Sequence, residues 1–569
     1  MASPNGRFVL AYNGEISNFR ALRRELSHSG WQFTSDGDTE VLLAAWSAWG
    51  ANALQRLEGM YAFAIVDRAL QTLTLCRDPF GIKPLYVSDQ DGTQIAFGSE
   101  LHAVLSLMPA QPRLDWSTAL EFVTRGIYDE GTATFVKGIR RLEPGERIEI
   151  RLQPPLSLSS TRREWWPTVQ EDTRKSLRDA AADLRELLID SVRNNLVSDV
   201  PVGIALSGGI DSSVIVGAAR ALEPELPIKT FSFVNRGSDL DESPWIGTVV
   251  RATGVSSATF TPEPSDISED LKDLVLTQGE PFGSIGVYAG FRLFKLMREQ
   301  GVVVALEGQG ADELFAGYNF HVGARMRSLV AKRRFTETMR LGMAVRRGPN
   351  VGGKQLVGHY ASAYGLPRHA IGVVGRLGMT KSGLLREGSL RERGVGIRAL
   401  PDDGHRIPDR QGRALAGSLR DTLTFGGLQT LLRHGDRNSM RFSVESRVPF
   451  LDRRIANLAL SLPESYLINE DGTSKSVLRL ACEGLVPEEI LNRKDKIGFA
   501  TPDTSWLHAT IAPLIRIVHD APEIAFIDRA AVVRLLSGVT EATSHRDACT
   551  IWRFANLYAW ALWSGVDCS

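Results

Sequence analysis

Val202-Gly203-Ile204-Ala205-Leu206-Ser207-Gly208-Gly209-Ile210-Asp211-Ser212-Ser213 decides the fold. An apolar run of strand length turns through two glycines and enters a helix. Gly208 and Gly209 let the backbone approach an anion closely, the helix start supplies free N–H donors, and Ser207, Ser212 and Ser213 add hydroxyls. Together these make a phosphate nest. Asp211 does not fit simple phosphate binding, because a carboxylate repels a polyphosphate unless a cation lies between them. It reads as a Mg²⁺ ligand. The plain alternative, an ordinary tight strand-to-helix connection, leaves the serines and the aspartate unexplained. The lysine of a Walker-type loop is missing.

Outward from this loop, apolar runs alternate with helical ones: Val202 to Leu206, Ser213 to Leu222, Ile228 to Val234, Val287 to Gln300 and Val302 to Leu306. That alternation predicts a doubly wound parallel sheet covered by helices. Val302 to Leu306 runs into Glu307-Gly308-Gln309-Gly310-Ala311-Asp312-Glu313, again glycines followed by acids. Ligands of such sheets sit outside the carboxyl ends of the strands, so both loops can face one nucleotide, with Asp312 as a second candidate metal ligand. Alternatively, the adjacent acids are dipole partners of a helix start.

Upstream, short β runs (Phe8 to Tyr12, Ala62 to Val66, Thr72 to Cys76, Leu85 to Val87) surround one helical stretch, Phe19 to Gly30. Turn signals at Asp91-Gly92 and Pro144-Gly145 complete a sheet-rich α+β pattern. The composition shifts over Pro154 to Pro167, and a charged helical pattern begins near Asp172, which divides the chain into domains 1–165 and 172–569. The Arg-rich stretch Gly323 to Arg420 reads as a solvated helical insert or a polyanion-binding patch.

At 569 residues with 43% apolar content, the chain is expected to bury more than one core. The formal net charge is zero, which disfavours a dedicated nucleic-acid or membrane-surface binder and favours a small-molecule partner. No run of about eighteen apolar residues and no leader pattern is present, so a cytoplasmic address is expected. Cys76, Cys482, Cys549 and Cys568 are widely spaced and read as ordinary thiols. Nothing sets the oligomeric state; a homodimer stays open.

Ser207 to Ser213 resembles the loop of ATP-pyrophosphatases, and the whole chain resembles glutamine-dependent asparagine synthetases. The front half carries Tyr12-Asn13-Gly14-Glu15-Ile16, Asp38-Thr39-Glu40, Gly59 to Ala64 and Arg77 to Tyr86. The rear half carries Asp436 to Met440, Ser443 to Asp452 and Asn492 to Phe499. The resemblance implies an N-terminal-nucleophile-hydrolase-like sandwich followed by an ATP-pyrophosphatase domain. It implies that aspartate is adenylated with ATP and Mg²⁺, pyrophosphate is released, and ammonia from glutamine attacks. By the same resemblance, Leu206, Phe233 and Gly308 contact adenosine. Ser207, Gly209, Asp211 and Ser212 hold pyrophosphate and metal, Lys475 faces the pyrophosphate, and Asn13, Gly14, Glu15 and Asp38 form the glutamine pocket.

Two departures stand out. Family glutaminases work through a cysteine after the initiator methionine, where this sequence has Ala2. Either the sequence is a shortened version, which the unpaired edges of a domain lacking its leading strands favour, or the nitrogen comes from free ammonia or another amine. Gln309 stands where many members carry a proton-relaying glutamate, and an amide is no base near neutral pH. Glu307, water or a different acceptor must then serve. Gly279 to Ser284 together with Gly-Gln-Gly resembles a bacterial subgroup linked to polysaccharide or secondary-metabolite genes. Amidation or cyclisation of another carboxylate is therefore a second reading, and a nucleic-acid-modifying adenylase a third.

Overall fold

The computed structural model describes residues 1–90, 92–156, 158, 161–163, 165, 170–347, 358–360, 383–396, 412–495 and 500–569. Asp91 of the predicted turn, residues 348–357, 361–382 and 397–411 of the central Arg-rich stretch and the Lys496 to Phe499 part of the late motif lie outside these described residues.

Strands β1 (Phe8–Ile16), β2 (Gly59–Asp67), β3 (Thr72–Arg77), β4 (Tyr86–Gln90), β5 (Gln94–Gly98), β6 (Ile139–Arg141), β7 (Glu146–Arg151) and β8 (Thr161–Arg163) build two antiparallel sheets, in the orders β1-β2-β3-β7-β8 and β5-β4-β6. The period-two rule sorts their faces. Tyr61, Phe63 and Ile65 of β2 pack with Leu22, Leu26, Val41 and Leu42 of two helices, while Ala62 and Ala64 join Leu75, Val87, Ile148 and Ile150 between the sheets. One of those helices, Asp38–Trp49, goes beyond the single predicted helical stretch. It is buried at every position from Glu40 to Trp46, so its sequence lacks the polar stripe by which a surface helix is recognised. At the edge strand β1, the chain start folds back: the Met1 amine donates to Leu10 O at 2.8 Å and Ala2 bridges Val9.

Strands β9 (Val202–Ala205), β10 (Lys229–Phe233), β11 (Ser256–Phe260), β12 (Val304–Leu306) and β13 (Glu445–Arg447) form the predicted parallel sheet in the order β11-β10-β9-β12-β13. The chain moves outward from β9 through β10 to β11, then crosses to β12 on the other side, so its switch point lies between β9 and β12. Loops leaving those two strands diverge there and open a crevice. β11 and β13 carry few apolar residues, which is why the apolar runs did not announce them. The charged helix expected near Asp172 starts at Leu177, capped reciprocally by Ser176 and Asp179.

The two halves share cores. Leu101, Trp116, Phe122 and Phe135 pack with Phe282, Tyr288, Trp552 and Trp560, and Met60, Phe80 and Ile82 join the core around β9 and β12. Buried ion pairs lock the same contact: Lys83 with Asp436 at 3.1 Å, Arg141 with Glu280 at 3.2 Å, and Arg433 with Asp129 at 2.8 Å. Among the described residues, no helix is long and apolar enough to cross a membrane.

Candidate active site

A cavity of about 510 Å³ opens at the switch point, the size class of a small-molecule site. The first loop forms one wall. Ser207 N donates to Ser212 Oγ at 3.1 Å, and Ser213 Oγ donates to Gly209 O at 2.7 Å, so its hydroxyls hold it in shape. Leu206, Ser207, Gly209, Asp211 and Ser212 face the cavity, as does Phe233 at the end of β10. Gly208 and Ser213 are not among the cavity-lining residues. Ser213 is turned into the helix start and buried, and Gly208, at φ +74°, lies where any Cβ would sit 2.8 Å from Trp245 Cβ. Their contribution is to the loop's form.

The second loop lies directly against the first. A Cβ on Gly308 would come 3.0 Å from Ser212 N and 3.1 Å from Asp211 Cβ, so any larger residue would have to push the first loop away by a few tenths of an ångström. Asp211 and Asp312 then converge on one ammonium. Lys475 Nζ is 2.5 and 2.7 Å from the Asp211 oxygens and 2.7 Å from Asp312 Oδ1. Burial alone would lower the Lys475 pKa, but the two carboxylates outweigh it and hold the group above its ordinary value. Lys475 adopts a left-handed backbone, φ +58°, just before helix Ser476–Ala481, an uncommon conformation for a non-glycine residue. Gly317 completes the arrangement, since a Cβ there would collide with Asp312 Oδ1.

Glu307 and Gln309 line the same cavity. Burial pushes the Glu307 carboxyl up from its ordinary value, opposed by hydrogen bonds from Ser446 Oγ, at 2.7 Å, and from Gln309. Several lining residues escaped the sequence reading. Arg493 donates to Gly208 O at 3.2 Å and pairs with Glu242 at 3.1 Å; it sat inside a quoted motif without a role. Tyr128 reaches the cavity from the front half and shares a 3.1 Å hydrogen bond with His434, whose imidazole burial lowers to about 3 and keeps neutral. No local signal pairs residues 306 positions apart.

Asn13, Gly14, Glu15 and Asp38 gather near the far end of β1. Asp38 Oδ2 accepts from Tyr12 Oη at 2.6 Å and Ile16 N at 2.9 Å, and Asn13 Nδ2 donates to Ser99 Oγ at 3.1 Å. Gly14 lets β2 approach, for a Cβ would lie 2.2 Å from Met60 O. Burial, with Asp38 adding to it, raises Glu15 to about 7 against the pull of Arg447. Cys76 is buried in the sheet, and all four cysteines are free thiols.

An antiparallel sandwich is joined here through shared cores to a parallel-sheet half with a chamber at its switch point, and matches to the asparagine synthase family and to glutamine-hydrolysing asparagine synthetases make the chain an amide-forming ligase that uses ATP. The chain belongs to the asparagine synthase family, which matches residues 183–563, and a glutamine amidotransferase domain matches residues 1–160. It is 31% identical to asparagine synthetase [glutamine-hydrolyzing] 1 of Bacillus subtilis over 93% of this chain and 81% of that protein. Identity to a putative asparagine synthetase [glutamine-hydrolyzing] of Mycobacterium tuberculosis is 32%, over 93% of this chain and 80% of the relative. The Penicillium rubens protein named amidase chyE is 26% identical over 91% and 80% of the two chains.

Proposed function

We propose that this ligase adenylates the side-chain carboxylate of aspartate and converts it to the amide, with Glu307 receiving the proton that Gln309 cannot take. The observation that carries this reading is the convergence of Asp211, Asp312 and Lys475 beneath the Ser207–Ser212 loop, in a chamber that also holds the buried Glu307. Leu206, Phe233 and Gly308 bound the adenosine end. The loop hydroxyls and the helix start take the phosphates. Lys475 stabilises charge developing on pyrophosphate as the α–β bond breaks, a preorganised electrostatic role.

Two carboxylates against one ammonium leave a net negative charge beside a phosphate site, and an oxygen-only donor pair suits Mg²⁺, so Asp211 and Asp312 would hold that ion. Bound there, Mg²⁺ neutralises polyphosphate charge. The activated carbonyl is then attacked by an amine. Glu307, held by Ser446 and Gln309 and raised by burial, accepts the proton released. Nitrogen comes from glutamine bound at Asn13, Gly14, Glu15 and Asp38, or from free ammonia. A cytoplasmic setting fits these partners.

Gln309 and the similarity to amidase chyE support a second reading, amidation of a different carboxylate. ATP–pyrophosphate exchange across a panel of acids decides between them, because it reads adenylation without an amine. Aspartate-dependent exchange is expected. Exchange with other acids and none with aspartate would replace the first reading by the second.

A further inference from the structure

We propose that Asp503, His545 and Cys549 form a binding site for a zinc-class transition-metal ion, separate from the aspartate pair of the chamber and independent of which acid is amidated. His545 and Cys549 lie four residues apart on helix His545–Ser564 and so share a face. Asp503 opens helix Asp503–Ala509 and is buried beneath them. Cys549 Sγ lies 3.7 Å from His545 Nε2 and 3.8 Å from Asp503 Oδ2, and one ligand atom from each residue lies within 4.8 Å of the others. Zinc bonds of about 2.3 Å to sulfur and 2.0–2.2 Å to nitrogen or oxygen give tetrahedral edges near 3.5 Å. The two sulfur distances therefore lie within a few tenths of an ångström of such an edge, while His545 and Asp503, within 4.8 Å of each other, have further to close, which a change in the exposed His545 side chain can supply.

The mixture of ligands selects the ion. One sulfur, one imidazole and one carboxylate suit zinc or cobalt, whereas Mg²⁺ and Ca²⁺ prefer oxygen alone. Arg553 lies near Cys549, where its charge opposes a cation but favours the thiolate form that a sulfur–metal bond needs. Asp503 is held as metal-binding carboxylates usually are: Ser284 Oγ donates to Oδ2 and Thr501 Oγ1 bonds Oδ1. Ser284 and Thr501 both line the chamber, so a bound ion would brace the C-terminal helix against the chamber wall. His545 is exposed, which leaves a fourth position open toward solvent.

The test uses the whole chain stripped of metal by a chelator. Zn²⁺ is titrated against a chromophoric chelator, and Co²⁺ is added separately with absorption recorded. A sulfur-to-cobalt charge-transfer band is expected and should vanish in Cys549→Ser, which retains the buried Cys76, Cys482 and Cys568. His545→Ala, an exposed change, should weaken Zn²⁺ by more than the roughly 10–100-fold that follows loss of a ligand's hydrogen-bond partner. Circular dichroism verifies that both variants fold. No band in the parent chain, an undiminished band in Cys549→Ser, or unchanged Zn²⁺ affinity in His545→Ala would each overturn the site.

Discussion

Two clusters of carboxylates, one in the rear chamber and one at the end of β1, differ in where their nearest cation stands. Asp211 and Asp312 share a buried ammonium within 2.7 Å, and that ammonium is held charged. Among the described residues, the one cation at ion-pair distance from the front cluster is the Arg447 guanidinium, 3.9 Å from Glu15 and already bonded to Glu445 at 2.6 Å and to two carbonyls. Burial and Asp38 prevail there, and Glu15 rises to about 7. The rear pair thus holds a buried ammonium at hydrogen-bond distance, whereas at the front burial, the largest cause, and Asp38 raise Glu15 against a more distant and already engaged guanidinium.

The strongest way to break this contrast is to neutralise the rear pair. Asp211→Asn and Asp312→Asn should each lower pyrophosphate exchange about a thousandfold or more, the loss of several kcal/mol of transition-state stabilisation. Exchange at near parental rates in either variant would remove that residue from the site. Lys475→Ala comes next. Turnover should fall roughly 10²–10³-fold, as on removing a preorganised donor, with little change in the Michaelis constant for ATP. A raised Michaelis constant with intact turnover would make Lys475 a ground-state anchor instead. The same variant strips two partly buried carboxylates of their partner, so its melting temperature should also drop. Because Asp211 and Asp312 remain 21% and 17% exposed, the loss should stay below the roughly 3–5 kcal/mol typical of a broken buried pair.

Glu307 sharpens the contrast within the chamber, where one carboxylate is raised by burial while a lysine serves the other two. Glu307→Gln should leave aspartate-dependent exchange near the parental rate and lower amide formation by about 10², the low end for losing a general base. Equal losses in both assays would assign Glu307 to adenylation or to folding.

The rear site was largely legible in sequence because its chemistry is local. The residues from Ser207 to Ser212 and from Glu307 to Asp312 are each contiguous, and strand–loop–helix order fixes their direction. Lys475 was not legible on its own terms: it lies 264 residues from Asp211, and family resemblance supplied it. Arg493 was seen without a role, and Tyr128 and His434 were missed, because their positions depend on how the halves dock. Gly317 carried a readable signal, a glycine five residues after Asp312, but its meaning is steric and appears only once the Asp312 side chain is in place. The helix Asp38–Trp49 escaped because uniform burial erases amphipathic period. The edge strands β11 and β13 of the parallel sheet escaped because they carry few apolar residues.

The smallest expected effect tests the front cluster, through the pH dependence of stability. Glu15 titrates at about 7 in the folded chain against an ordinary 4.5. Between those values the folded state keeps a proton that the unfolded state has released. Stability from this group is therefore full below about pH 4.5, declines as pH rises through the window, and is gone above about pH 7. Glu15→Gln cannot ionise and removes the slope. Thermal melts of parent and variant should differ little near pH 5 relative to pH 8, and the variant's Tm should gain on the parent's as pH rises. Asp38 contributes to the shift, so Asp38→Asn should move the parent's decline to lower pH without abolishing it. A Tm difference that stays flat, or that favours the parent increasingly at high pH, would mean Arg447 governs Glu15 after all, and the contrast between the two clusters would collapse.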